Sequence, residues 1–152
     1  MELENALRAF LLADTAITDL IGSGVQARIY AETAPQNAGY PRLTYQWVDW
    51  PEDHTLSGVT GYGWPRVQID CWTNGPRART QCLALAKAVR DCRGGQPQGP
   101  KLNGYSGMMG TVHVQRCKLL NRESIPELPR QGEEGPVRRI SLDFEMQHSE
   151  QP

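Results

Sequence analysis

The sequence has 152 residues, of which 39% are hydrophobic, and its formal net charge is −1 at pH 7. This length predicts one domain with a single core, and the charge balance excludes the basic excess of a dedicated nucleic-acid-binding protein. No apolar run approaches the roughly 20 residues that a membrane-spanning helix needs. The N-terminus lacks the basic and apolar regions of a signal peptide, so we expect synthesis in a cytoplasm.

The N-terminal elements are predicted to be helical. Apolar residues recur at helical spacing from Leu3 to Leu11, which predicts an amphipathic first helix. Asp14 is expected to cap a short second helix that stops at Gly22. Residues 28–30 are a candidate for a short strand.

Two central segments, residues 42–50 and 64–73, alternate between apolar and polar side chains. This alternation is typical of strands with one buried face. Residues 51–63 between them are rich in glycine and polar residues, and we predict that they form a long exposed hairpin loop.

The second half of the chain is predicted to combine one helix with two strands. Asn74 and Pro76 are typical of a helix start, and the Gly94-Gly95 pair is typical of a helix end. The segments that follow are predicted as flexible loop, strand, long loop and strand, over residues 96–110, 111–120, 121–136 and 137–147.

This order of elements predicts an α+β fold. We expect a two-layer sandwich with a mostly antiparallel, four- to five-stranded sheet, two main helices packed on one face, and long loops. A single domain is expected over residues 1–148, followed by a frayed tail over residues 149–152. The core is predicted to contain Leu3, Leu7, Phe10, Val67, Ile69, Leu85, Val89, Leu142 and Phe144.

The sequence contains no arrangement typical of an enzyme. The histidines, His54, His113 and His148, are not accompanied by a nucleophile on a strand-to-helix turn. Glu52-Asp53-His54 could bind a metal in principle, but three adjacent residues rarely converge on one ion, so a solvated loop is the preferred interpretation. We predict no catalytic, cofactor-binding or metal-binding residue.

The cysteines, Cys71, Cys82, Cys92 and Cys117, contain no Cys-x-x-Cys pair of the kind that zinc sites favour. Cys82 and Cys92 fall on one predicted helix, about 15 Å apart along its axis, which is too far to share an ion. We therefore expect buried free thiols in a reducing compartment.

Apolar residues in and around the two long loops are candidates for a protein interface. Trp50 and Trp64 flank the first loop, with ordinary packing as the alternative, and Ile125 and Leu128 lie within the second. The complete predicted assembly interface is Trp50, Glu52, Asp53, His54, Trp64, Ile125, Leu128 and Arg130. Both loops are expected to become ordered on assembly.

Three stretches, in a fixed order, carry a resemblance to a known family. The first is LRAFLLAD (7–14) through LIG (20–22), leading into RIY (28–30), APQ (34–36) and YP (40–41). The second is RVQIDCW (66–72) with an Ala-rich helix to residue 90, and the third is RRISLDFE (138–145). Together they resemble the small tail-completion proteins of long-tailed phages and prophages.

The resemblance implies a tail terminator without a cofactor or catalytic residue. Such a subunit forms a hexameric ring on the last ring of tail-tube protein, stops polymerisation and presents a surface to the head connector or stopper protein. It implies a place at the tail top, in the neck of the virion, after assembly in the host cytoplasm. A near-neutral chain is consistent with a ring whose lumen lets DNA slide through without sequence-specific binding.

Two alternatives stay open from the sequence. One is another neck protein of the same virion, such as a head-completion or stopper protein. The other is a small enzyme with an unrecognised site, whose mark would be a buried, pKa-shifted group in a cleft.

Overall fold

The computed structural model describes residues 2–49, 52–55, 58–127 and 136–149, with the backbone alone described over 52–55, 58–62 and at 127. The helices are α1 (Glu2–Leu12), α2 (Thr15–Ile21) and α3 (Ala78–Arg90), with a 3-10 turn at Gly24–Gln26. The strands are β1 (Ile29–Ala31), β2 (Arg42–Asp49), β3 (Glu52–Thr55), β4 (Gly58–Gly63), β5 (Arg66–Asn74), β6 (Gly107–Met109), β7 (Val112–Glu127) and β8 (Val137–Ser149).

These strands form one sheet with β8 near its centre. Strand β8 pairs antiparallel with β5 and β4 on one side and with β7 on the other. Strand β2 continues the sheet beyond β5, and β1 pairs parallel with β2. The predicted α+β class with a mostly antiparallel sheet is confirmed, but within the described residues the sheet has eight strands, more than the four to five predicted.

The additional strands come from segments predicted to be loops. Residues 51–63 contribute β3 and β4, and residues 96–110 contribute β6. The loop predicted over residues 121–136 is also wrong in part, because β7 continues to Glu127 in register with β8. These segments are glycine-rich or polar, and their strands are held by backbone pairing, which leaves no apolar alternation in the sequence.

The helix boundaries differ from prediction at α3. Asn74 is the last residue of β5, paired with Val137, and Gly75 makes the turn with φ 91°. The helix therefore starts at Ala78, and it ends at Arg90, before the Gly94-Gly95 pair. Cys92 consequently lies beyond the helix that was predicted to carry it.

Gly94 is needed for a close approach between two segments. Its φ is 61°, and a Cβ built on it would lie 2.4 Å from Cδ2 of the Phe10 ring. Phe10 in turn meets the ring of Tyr105 edge-on, with centroids 5.1 Å apart. The glycine lets the chain after α3 pass directly beneath α1.

The core lies between the helices and one face of the sheet, as predicted. Leu142 is 1% exposed in β8, and it belongs to the same apolar cluster as residues of α1, α2 and α3. Of the nine predicted core residues, eight are buried and Phe10 is partly buried against the cluster. Asp14 caps α2 as predicted, accepting a hydrogen bond from the backbone N–H of Ala16 at 2.9 Å.

Two features of the chain bear on its ends and on membranes. Strand β8 runs to Ser149, the first residue of the expected tail, and residues 150–152 lie outside the described residues. Within the ranges that the structure describes, no helix has both the length and the apolar composition to cross a membrane.

Candidate assembly surfaces

A hairpin extends the sheet past the C-terminal end of β8, on the same side as β5. Strands β2 and β5 pair with each other, and the chain continues from them into β3 and β4, which also pair with each other. In the described part of the chain, β8 reaches β4 only at Tyr62 and Gly63. Gly58 and Val59 of β4 pair with Thr55 and His54 of β3, and we call β3 and β4 together the hairpin arm.

The base of the hairpin arm carries exposed apolar side chains. Trp64 follows β4 directly and is 38% exposed. The β2–β5 register shifts between Trp47 and Asp49, which leaves Val48 as an unpaired bulge residue that is 47% exposed. Bulges are common where a strand redirects its side chains outward.

A second surface lies on the other side of β8, along β7. The N-terminal part of this strand is covered, since Cys117 N–H donates to the Tyr105 carbonyl at 3.0 Å and Leu119 N–H donates to Asn103 Oδ1 at 3.0 Å. Past Leu119, no other described segment pairs with the outer side of β7. We call residues 120–127 of β7 the open edge.

The open edge is solvated despite its place beside the core. Arg122 and Ser124 are exposed, although their partners across the ladder, Leu142 and Ile140, are each 1% exposed. Leu120, a bulge residue where the β7–β8 register shifts, is 42% exposed. An unpaired strand edge of this kind is a template for pairing with another chain.

The structure separates the predicted interface residues into two groups. Glu52, Asp53 and His54 form most of β3 in the hairpin arm, and Trp64 lies at its base. Ile125 is half-buried in the open edge, opposite Arg139. Trp50, Leu128 and Arg130 lie outside the described residues.

The two surfaces lie at opposite ends of β8. The hairpin arm meets β8 at Ser149, and the open edge pairs with β8 around Arg139. At a strand rise of about 3.3 Å per residue, these positions are roughly 30 Å apart. The sequence named Ile125 in this segment but predicted a loop, because most residues of the open edge are polar and show no apolar alternation.

The sheet face turned away from the helices carries a polar cluster that was also missed. The Arg42 side chain is 1% exposed overall, and its guanidinium lies 4.2 Å from the Tyr40 ring centroid and 5.6 Å from that of Trp72. Trp72 Nε1 donates to Thr44 Oγ1 at 2.9 Å, and the Arg139 guanidinium lies 5.2 Å from the Trp72 ring. The available signal was the alternation of side chains along neighbouring strands, which places the strand residues of this cluster on one face of the sheet.

A buried carboxylate extends this polar cluster toward β8. Asp70 accepts hydrogen bonds from the Ser141 hydroxyl and from Gln68 Nε2, the latter at 3.1 Å. Ser141 is 9% exposed, so this polar residue of β8 is buried on the face turned away from the helices. Because these groups satisfy one another, the cluster is a structural network rather than a reactive site.

The thiols are buried, as predicted, and their chemistry is that of core residues. Burial raises the pKa of Cys92 and Cys117 to about 12, and burial raises the pKa of Cys71 well above its ordinary value. Such thiols are protonated at neutral pH and make poor nucleophiles and poor metal ligands. In the described residues, no group of three or more His, Cys, Asp and Glu side chains is positioned to hold a metal.

An α+β core that presents an extended hairpin on one side and an open strand edge on the other is typical of a subunit that associates with other chains. Comparison with known sequences is consistent with this class. The chain belongs to the family described as "Tail completion protein gp17", whose model matches residues 5–104. The resemblance read from the sequence is thereby confirmed, and the chain is a structural protein of a phage-type tail or neck.

The fold is also found in a solved particle. A chain in the structure titled "Virion of native gene transfer agent (GTA) particle" superposes with a TM-score of 0.68 at 19% sequence identity. The alignment covers 97% of this chain and 94% of that chain. At this identity the likeness shows a shared fold. No curated protein matches the chain.

Proposed function

We propose that this protein is a tail terminator, which caps the finished tail tube as a ring, stops its polymerisation and forms the interface to the head connector or stopper protein. Family membership supports a tail-completion role. The observation that supports a ring is the presence of two different candidate association surfaces, the hairpin arm and the open edge. They lie on opposite sides of β8 and at opposite ends of it.

Two different surfaces favour head-to-tail association. A contact between unlike surfaces leaves one unused surface on each partner, so that subunits continue to add until the rotation closes a ring. In our proposal the ring is a hexamer of this chain at the tail top, in the neck of the virion, assembled in the host cytoplasm. Its other partners are the major tail-tube protein and the connector or stopper.

The proposed role is structural and involves no cofactor. With a formal net charge of −1, the subunit offers little of the cationic excess that would retain DNA by counterion release. DNA therefore passes through the lumen of the ring during ejection without a sequence-specific contact.

Particles that lack this protein test the role. We expect a deletion of its gene to give overlong tails without heads, and electron microscopy of negatively stained particles measures the tail length. The wild-type gene supplied in trans should restore tails of uniform length, whereas a copy truncated after residue 49 should not. Tails of normal length beside heads that leak DNA would instead show a stopper or head-completion protein.

A further inference from the structure

We propose that neighbouring copies in this ring are joined by continuation of the sheet, with the hairpin arm of one copy adding to the open edge of the next. This inference rests on the proposed ring and assigns its subunit contact.

Pro126 fixes which backbone groups of the open edge point outward. It lies within β7 and is in register with Arg138 of β8. A proline within a strand is tolerated where its nitrogen faces away from the ladder, because it has no N–H to donate. Since backbone groups alternate in direction along a strand, the N–H and C=O of Ser124 and Arg122 also face the open edge.

The hairpin arm offers a strand of suitable kind. Strand β3 pairs with β4 on one side, and among the described strands none pairs with its other side. Its four residues are fewer than the eight of the open edge, so the entire strand can find partners. An added strand gains main-chain hydrogen bonds regardless of its sequence, as in other cases of β-augmentation.

Charge favours this partner. On the helix-side face of the sheet, the open edge presents the exposed side chain of Arg122, whose ladder partner is the buried Leu142. The sequence of β3 contains two adjacent acidic residues, Glu52 and Asp53. In the proposed contact, opposite charges on neighbouring strands attract, so Arg122 favours docking of a strand that contains this acidic pair.

The placement of the two elements also explains why they do not meet within one copy. They lie on opposite sides of β8 and roughly 30 Å apart along it, at about 3.3 Å per residue. An arm can therefore reach an open edge only on another copy. Each copy donates one arm and accepts one, which is the head-to-tail geometry that a ring requires.

Two complementary variants test this contact. In Ser124→Pro the outward N–H of the open edge is removed while the ladder with β8 is kept. In an armless variant, residues 52–61 are replaced by an Asn-Gly turn. Ser124→Val, which keeps the N–H in a strand-favouring residue, is the matched control, and circular dichroism melting checks that every variant folds.

The variants are mixed in solution and read by native mass spectrometry. Each alone should be monomeric, and the mixture should give a heterodimer that grows no further, because the arm of Ser124→Pro docks on the open edge of the armless chain. Both variants should also lose ring formation on purified tail tubes, whereas Ser124→Val should retain it. Arg122→Glu should weaken the heterodimer at least tenfold, and adding Glu52→Arg and Asp53→Arg to the arm donor should restore it.

The outcomes separate this inference from the proposed function. If the wild type caps tubes and the folded Ser124→Pro and armless variants do so equally well, the subunit contact lies elsewhere and the terminator role stands. Failure of the mixture to form the heterodimer likewise overturns the arm-to-edge contact. This holds whether the arm binds the tube protein instead or has no binding partner. If the wild type itself caps no tube, the terminator role is wrong.

Discussion

Substituting Gly94 by alanine tests whether the chain after α3 packs closely against the Phe10 ring of α1. At φ 61° an L residue is strained, at a cost of about 1–2 kcal/mol. The new Cβ would also lie 2.4 Å from two ring carbons of Phe10, and overpacking of this kind costs about 1–3 kcal/mol. We therefore expect Gly94→Ala to lower the free energy of unfolding by about 2–5 kcal/mol.

Gly24 provides a matched control for the backbone contribution. Its φ is 63°, and a Cβ built there has no heavy atom within 4 Å. Gly24→Ala should therefore show the strain alone, about 1–2 kcal/mol. Urea denaturation followed by tryptophan fluorescence measures both free energies of unfolding.

A double-mutant cycle isolates the contact with Phe10. In a Phe10→Ala background the ring is gone, so Gly94→Ala should cost no more than Gly24→Ala does. Equal costs for the two glycine substitutions in the wild-type background would refute the close approach. So would a cost of Gly94→Ala that Phe10→Ala leaves unchanged.

Three further predictions follow from the core, the thiols and a helix cap. Leu142→Ala should lower the free energy of unfolding, measured by urea titration, by about 2–5 kcal/mol. Leu83→Ala, at a position that is 39% exposed, is the control and should lower it much less. Similar losses for the two variants would show that β8 is misplaced. Burial raises the pKa of Cys92 and Cys117 from 9.0 to about 12, so the folded state holds these protons more tightly than the unfolded state. The stabilisation that results is complete below pH 9, and the melting temperature should fall as the pH rises from 9 toward 12. Reaction of these thiols with iodoacetamide in the native protein at pH 8 would contradict their burial. Asp14 accepts from the backbone N–H groups of Ala16 and Arg93 at 2.9 and 3.0 Å, so Asp14→Ala should cost about 1–2 kcal/mol in thermal denaturation and Asp14→Asn less; no loss in Asp14→Ala would contradict the cap.

The parts of the fold that the sequence predicts are those where burial imposes a period. Leu3 and Leu7 repeat at helical spacing, and Leu142 and Phe144 at strand spacing, because each pair must face the same core. All four are buried. The Asp14 cap was predictable for a similarly local reason, since its carboxylate bonds a backbone group two residues away.

The missed strands are held by partners that local sequence does not reveal. Strand β4 contains three glycines in six residues, and the last part of β7 is polar. Each is extended because a neighbouring strand offers a complete row of backbone donors and acceptors. The burial of Arg42 was missed for a related reason, because it depends on Trp72, which is 30 positions away in the sequence but directly opposite in the β2–β5 register.

The candidate interface was predictable only in part. Trp64 stood out because aromatic residues at an exposed strand end are favoured in protein interfaces. The open edge had no such signal, since what it leaves unpaired are backbone groups of residues such as Ser124. Ile125 was predicted as part of a loop, whereas the structure places it in the open edge of β7.

The most direct test of the terminator role is the growth of tail tubes in the presence of the purified protein. Tube protein of the same particle is polymerised with increasing amounts of this chain, and tube lengths and ends are measured by cryo-electron microscopy. We predict that tubes shorten as the protein is added, with a single ring of it at one end of each tube. Tubes of unchanged length, or tubes decorated along their sides, would contradict the proposed function.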